Sequence, residues 1–160
     1  DGDVVTLSSG AFASVNITKA ITLRGAGMTL DASTQTEPTV LANKFSIEIP
    51  DESTKRLTIE GIYSNQEITI KRLKNALFLK DRMYYVSVND GSSIAKDLTF
   101  IHCRITKGYY CNDNSNNSAS FQNSIVSYIY GMNYNFYKEG HNVMIYLHPS
   151  ISFQQQSLLI

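Results

Sequence analysis

Short alternating apolar strings recur along the chain and share a phase. Lys19-Ala20-Ile21-Thr22-Leu23 is echoed by Lys55-Arg56-Leu57-Thr58-Ile59, Lys74-Asn75-Ala76-Leu77-Phe78 and Lys96-Asp97-Leu98-Thr99-Phe100. Weaker copies follow as Asn117-Ser118-Ala119-Ser120-Phe121 and His141-Asn142-Val143-Met144-Ile145. From Leu57 onward the steps between first apolar residues are 19, 22, 21 and 24. Periods of this size mark solenoids, in which each repeat stacks on its neighbours. The 36-residue interval between Ile21 and Leu57 is expected to hold two short turns, one of them degenerate around Thr39-Val40-Leu41.

Successive side chains of a strand point to opposite faces. The first and third residues of each triplet therefore predict inward columns: Ile21/Leu23, Leu57/Ile59, Ala76/Phe78, Leu98/Phe100 and Val143/Ile145. The middle residues Thr22, Thr58, Thr99 and Ser120 suit a solvated outer face. A second strand is expected after a corner, at Ile62, Cys103/Ile105, Ser124/Val126 and Pro149/Ile151. Asn112 to Asn117 reads as a protruding turn, because Asn and Asp tolerate left-handed backbone. Between Glu67 and Arg82 a helix competes, since Ile70, Leu73 and Leu77 have helical spacing. The strand is preferred because Lys74 to Phe78 keeps the phase of the repeat. The expectation is an all-β fold, a single-stranded right-handed parallel β-helix of about 19–24 residues per coil, forming one domain over residues 1–160.

Composition narrows the class. Fourteen Lys and Arg balance 14 Asp and Glu, so no overall field draws the chain to nucleic acid or an anionic membrane. Charged residues are only 18%, and abundant Ser, Thr, Asn and Tyr fit a β-rich exported protein. No apolar run reaches the roughly 18 residues of a membrane helix. Opening on Asp1-Gly2-Asp3 without an initiator Met, the chain reads as a fragment of a longer one. Cys103 and Cys111 fit one disulfide or two unpaired buried thiols equally, and their spacing does not match structural zinc pairs.

The opening Asp1-Gly2-Asp3-Val4-Val5-Thr6-Leu7, followed by Val15-Asn16-Ile17-Thr18-Lys19-Ala20-Ile21-Thr22-Leu23-Arg24-Gly25-Ala26-Gly27, resembles the first coil of pectate-lyase-like β-helix proteins. Leu98-Thr99-Phe100-Ile101-His102-Cys103-Arg104-Ile105 resembles one of their later coils. Within that superfamily the chain is most similar to domains of unknown function in surface lipoproteins of bacterial glycan-uptake loci. The resemblance implies an extracellular or cell-surface protein, with a lipoprotein anchor outside this chain. It covers nearly the whole chain and is specific for fold rather than activity.

Lyases of this kind need a Lys or Arg base and often clustered carboxylates for calcium. The expected outward column Glu60, Leu79, Ile101, Gln122, Tyr146 holds one acid, and Arg56, Asn75, Asp97, Ser118, Asn142 holds another. Neither assembles a metal site, and Asp90 and Asp97 are carboxylate candidates by proximity alone. His102, His141 and His148 form no local metal motif, with His102 read as a strand residue. Gly25-Ala26-Gly27 lacks the third glycine of a dinucleotide loop and reads as a corner, so no cofactor is expected.

Lys55, Lys74 and Lys96 occupy one repeat position, as does Lys19. They either splay into solvent or form a basic stripe for an anionic polymer. Tyrosines crowd the C-terminal half, and Tyr109, Tyr110, Tyr130 and Tyr134 are either a platform for sugar rings or stacked core. The reading carried forward is a polysaccharide-binding domain, with an acidic polymer one candidate partner and no demonstrable catalytic site. A polysaccharide lyase or glycoside hydrolase is the first alternative, and an adhesive repeat with a protein partner the second.

Overall fold

The computed structural model describes residues 2–130 apart from 15, 30–32, 34–35, 52, 89–91 and 112–116, together with the backbone of 144–145. The chain is a parallel β-solenoid of about five turns, and every named element is a strand. Two-residue alternation decides this. Each Φ-x-Φ triplet has one apolar face, too narrow to bury alone, and stacking identical triplets closes it.

The first face of the coil is built from β1 (Val4–Thr6), β3 (Thr22–Arg24), β6 (Leu57–Glu60), the end of β7 (Ile62–Leu79), the end of β9 (Ile94–Ile101) and β11 (Ala119–Gln122). Its register is the one the repeat predicts. Leu57, Ala76, Leu98 and Ala119 are successive partners, and so are Leu23, Ile59, Phe78, Phe100 and Phe121. All nine side chains are buried. The Phe78 and Phe100 rings stack at 4.6 Å, and Phe100 and Phe121 at 4.9 Å. Burying each large apolar side chain contributes about 1.5–3 kcal/mol.

The second face joins β2 (Gly10–Phe12), β4 (Thr39–Leu41), the start of β7, β8 (Arg82–Val88), β10 (Arg104–Cys111), β12 (Ile125–Val126) and β14 (Met144–Ile145). The third joins β5 (Phe45–Glu48), the middle of β7, the ends of β8 and β10, and β13 (Ile129–Tyr130). The segment with helical spacing is thus the long strand β7, bent through a left-handed Asn75.

Two expectations about the repeat are corrected. Thr22 pairs directly with Thr58, so the 36-residue interval is one long coil rather than two short ones. Thr39–Leu41 is the second strand of that coil, and the extra length lies in the connections on either side of β4 and β5. Met144 and Ile145 pair with Ile125 and Val126, so this last string stacks on the second face rather than continuing the first. Val143 and the Pro149/Ile151 strand lie outside the described residues.

The corner between first and second faces explains the repeat better than any apolar position. Gly61, Lys80, His102 and Asn123 all take positive φ, at 69°, 54°, 53° and 47°. Their amides donate one rung onward, Gly61 to Leu79, Lys80 to Ile101 and His102 to Gln122. His102 is therefore a corner residue, not a strand residue. The residue after each corner turns inward: Asp81, Cys103 and Ser124 are all buried. Asp81 accepts from the Ile62 and Leu79 amides, the Cys103 thiol donates to the Phe78 and Ile101 carbonyls, and the Ser124 hydroxyl donates to Phe100 and Gln122 carbonyls while accepting from the Cys103 amide. Both cysteines are buried and neither is in a disulfide, and burial pushes the Cys103 thiol up to about 12.

Candidate functional site

The third face carries the outward tyrosines. Along β10 the alternation turns Tyr109 inward and Tyr110 outward, in register with Val86 and Ser87 of β8 and with Ile129 and Tyr130 of β13. Tyr109 is fully buried, edge-on to Phe100 at 5.7 Å and to Phe121 at 5.6 Å. Burial, with Cys111 beside it, holds its phenol well above the usual value. Tyr109 is therefore core and leaves the candidate surface, because a ring enclosed by the coil has no face for a sugar.

Tyr110 and Tyr130 do come together. Their rings stack at 4.9 Å with planes 13° apart, and Tyr128 lies nearly parallel to Tyr130 at 6.2 Å. Gly108 makes this possible, since a Cβ there would meet the Tyr128 carbonyl oxygen at 2.9 Å and its Cβ at 3.0 Å. Tyr130 is 45% exposed. Rings stacked on successive rungs shield one another's faces, so the surface offers ring edges and phenolic hydroxyls. Tyr134 lies outside the described residues.

Toward the second face the surface continues through residues the repeat did not single out. Lys107 places its ammonium 4.7 Å from the Tyr85 ring and 5.6 Å from Tyr84. Tyr84 is exposed. Arg82 lies over the Tyr63 ring at 4.6 Å. Burial foremost, then Glu67, Tyr110 and Tyr128, raises the Tyr85 phenol, which keeps its proton available for donation. Glu67 is bound by Lys44 at 2.7 Å and accepts from the Ser87 hydroxyl at 2.8 Å. The Lys44 contact is the main reason its carboxyl is held below the usual range, against the effect of burial.

The lysine column lies elsewhere on the coil. Lys74 and Lys96 are direct ladder partners, just before the left-handed corners Asn75 and Asp97. Lys74 pairs with Asp51 at 3.2 Å, and Lys55 and Lys96 are exposed. Among the described residues no ion pair or cation–π contact joins Lys55, Lys74 or Lys96 to a tyrosine.

The carboxylates are engaged one by one. Glu60 pairs with Arg24 at 2.9 Å, and Asp97 accepts from the Ser118 hydroxyl at 3.2 Å. Glu60, Leu79, Ile101 and Gln122 do stack in one column, while Tyr146 lies outside the described residues. Asp90, like His141 and His148, lies outside the described residues. No group of three His, Cys, Asp or Glu suited to a metal occurs among the described residues. Gly25-Ala26-Gly27 is a corner, beside an open recess of about 310 Å³ bordered by Arg24, Glu60 and Lys80. Gly25 is required there because a Cβ would meet the Gly61 carbonyl at 2.5 Å. No helix long and apolar enough to cross a membrane occurs among the described residues.

Lys107, Tyr84 and Tyr85 escaped the sequence reading because they fall between the second and third strands, where the register shifts. The only signal for them was aromatic density in Tyr84-Tyr85. The chain matches no family model, no curated protein and no solved structure.

Proposed function

We propose that this solenoid binds polysaccharide across the tyrosine surface of its third face, without transforming it. The observation that carries the reading is the Tyr110–Tyr130 stack on adjacent rungs, exposed at Tyr130 and continued by Tyr128. Phenols combine apolar ring edges with hydroxyls that hydrogen-bond, which is the mixture a sugar presents in return. Neighbouring Glu67, held from beneath by the buried Ser87, and Lys107 add further polar groups to the same surface.

The likeness of the opening coil to pectate-lyase-like β-helices supports membership of that superfamily. It also supports an extracellular setting at a bacterial surface, in a longer chain with a lipid anchor. The carboxylates described above are each held by a separate cation or hydroxyl, which favours binding over hydrolysis by a carboxylate pair.

Retention of the purified chain in gels containing neutral and acidic polysaccharides tests the reading. At least one polysaccharide is expected to retard it. Tyr130→Ala and Tyr110→Ala should each weaken retention about tenfold, as an aromatic anchor contributes on the order of 1–2 kcal/mol. Lys96→Glu should leave it unchanged. Retention by no polysaccharide, or equal retention of both tyrosine variants, would contradict the assignment. Release of unsaturated product from a polyuronate by the chain alone would replace binding with lyase activity.

A further inference from the structure

Three cations lie on β8 and β10, the strands that carry Tyr84, Tyr85 and Tyr110, and none takes part in an ion pair among the described residues. Arg82 and Arg104 are direct ladder partners on β8 and β10. Adjacent strands put them about 4.8 Å apart along the solenoid axis. Like charges opposed across a ladder are destabilising. The ion pairs of the described residues engage Arg24, Lys44, Lys71 and Lys74 instead. Asp81, next to Arg82 in sequence, faces inward and is bound to the Ile62 and Leu79 amides. Glu67 feels Lys107 but is hydrogen-bonded to Lys44 and Ser87.

Packing holds two of these charges in position. The Arg82 guanidinium is braced over Tyr63, and the Lys107 ammonium over Tyr84 and Tyr85. Bracing long cationic side chains on rings lowers the ordering cost of gripping a ligand. A guanidinium fork matches the two oxygens of a carboxylate or sulfate.

We propose that Arg82, Arg104 and Lys107 form an anion-reading stripe that selects carboxylated or sulfated polysaccharide, with the polymer running along the solenoid axis. This rests on the polysaccharide reading of the tyrosine surface and names the class of polymer. The axial direction follows from the ladder. The arginines occupy the β8 and β10 rungs and Tyr110 and Tyr130 the β10 and β13 rungs, so both columns run along the axis and the β10 rung carries a cation and a phenol together.

The test titrates the full chain with polygalacturonate, dextran sulfate, neutral dextran and single-stranded DNA, at low and high salt. One of the two anionic polysaccharides is expected to bind at least tenfold more tightly than dextran, with affinity falling as salt rises. Which one it is separates a carboxylate from a sulfate ligand. Arg104→Gln and Lys107→Gln alter exposed side chains, and each should weaken that binding about tenfold. Arg82→Lys keeps the charge but loses the fork, and should weaken it as well. Tyr130→Ala should weaken neutral and anionic polysaccharides alike. Anionic binding unchanged in Arg104→Gln and Lys107→Gln overturns the stripe while polysaccharide binding stands. DNA bound more tightly than any polysaccharide also overturns it. Binding of no polysaccharide removes the functional reading beneath it.

Discussion

Leu98→Asp is expected to leave the chain unfolded at 25 °C. Leu98 is 1% exposed and lies between Ala76 and Ala119 on the rungs to either side. An ionised carboxylate there has no cation and no spare donor, because the ladder amides around it already bond along the stack. Burying such a charge costs several kcal/mol, and the lost leucine adds roughly 2–5 kcal/mol for transfer and cavity. Domains of this size are stable by only about 5–15 kcal/mol. In a solenoid each rung depends on its neighbours, so the damage spreads to the coils of Ala76 and Ala119. Thr99→Asp, one residue along on the outer side, should cost about 1 kcal/mol. Far-UV circular dichroism with urea titration compares the two. A folded, cooperatively melting Leu98→Asp would contradict the inward register.

The second large effect concerns Asp81. Its carboxyl is fully buried and accepts from the Ile62 amide at 2.8 Å and the Leu79 amide at 3.1 Å. Burial is the main cause of its raised pKa, well above the ordinary 3.8, and the amide bonds only partly offset it. A raised folded-state value means the folded chain holds this proton more tightly than the unfolded one. The contribution is therefore fully present below pH 3.8 and lost as pH rises through the folded value, with a plateau beyond. Glu67 has the opposite sign: its contribution is present above pH 4.5 and lost as pH falls. Asp81→Asn should remove this loss with rising pH and cost about 1–3 kcal/mol, since one amide oxygen replaces two acceptors. Asp81→Leu strands both amides, at about 1–3 kcal/mol each. Urea melts from pH 4 to pH 9 read both. A loss of stability with rising pH that survives in Asp81→Asn would assign it to another group.

The first strands were legible because their alternation survives any error in loop length. Leu57, Ala76, Leu98 and Ala119 could be aligned from sequence, and they are ladder partners. The 36-residue interval was misread for the complementary reason. Periodicity counts residues, whereas stacking counts rungs, and length stored in connections is invisible to the pattern. The string at Met144–Ile145 failed similarly, since a two-residue alternation does not say which face it belongs to.

The candidate surface was legible only in part. Tyr110 and Tyr130 were in view as tyrosines, but strand alternation had to separate them from Tyr109, one position away. The lysine repeat drew attention because it keeps the apolar phase. The cations held over tyrosine rings are Arg82 and Lys107, with Arg104 the ladder partner of Arg82, and they sit after a corner and across a register shift. Their grouping depends on how the coil turns, and nothing in the linear spacing encodes it. Asp81, Cys103 and Ser124 share a corner for the same reason, although their side chains have no common chemistry beyond hydrogen bonding to backbone.

The most direct measurement of the functional claim is the footprint of an oligogalacturonate on the isotopically labelled chain, read by amide and aromatic chemical shifts. Binding on the third face, with the cation stripe that adjoins it on the second, predicts perturbations gathered at Tyr110, Tyr128, Tyr130, Arg104 and Lys107, with Lys55, Lys74 and Lys96 unmoved. Shifts centred on the lysine column, or on the recess at Arg24, Glu60 and Lys80, would contradict it.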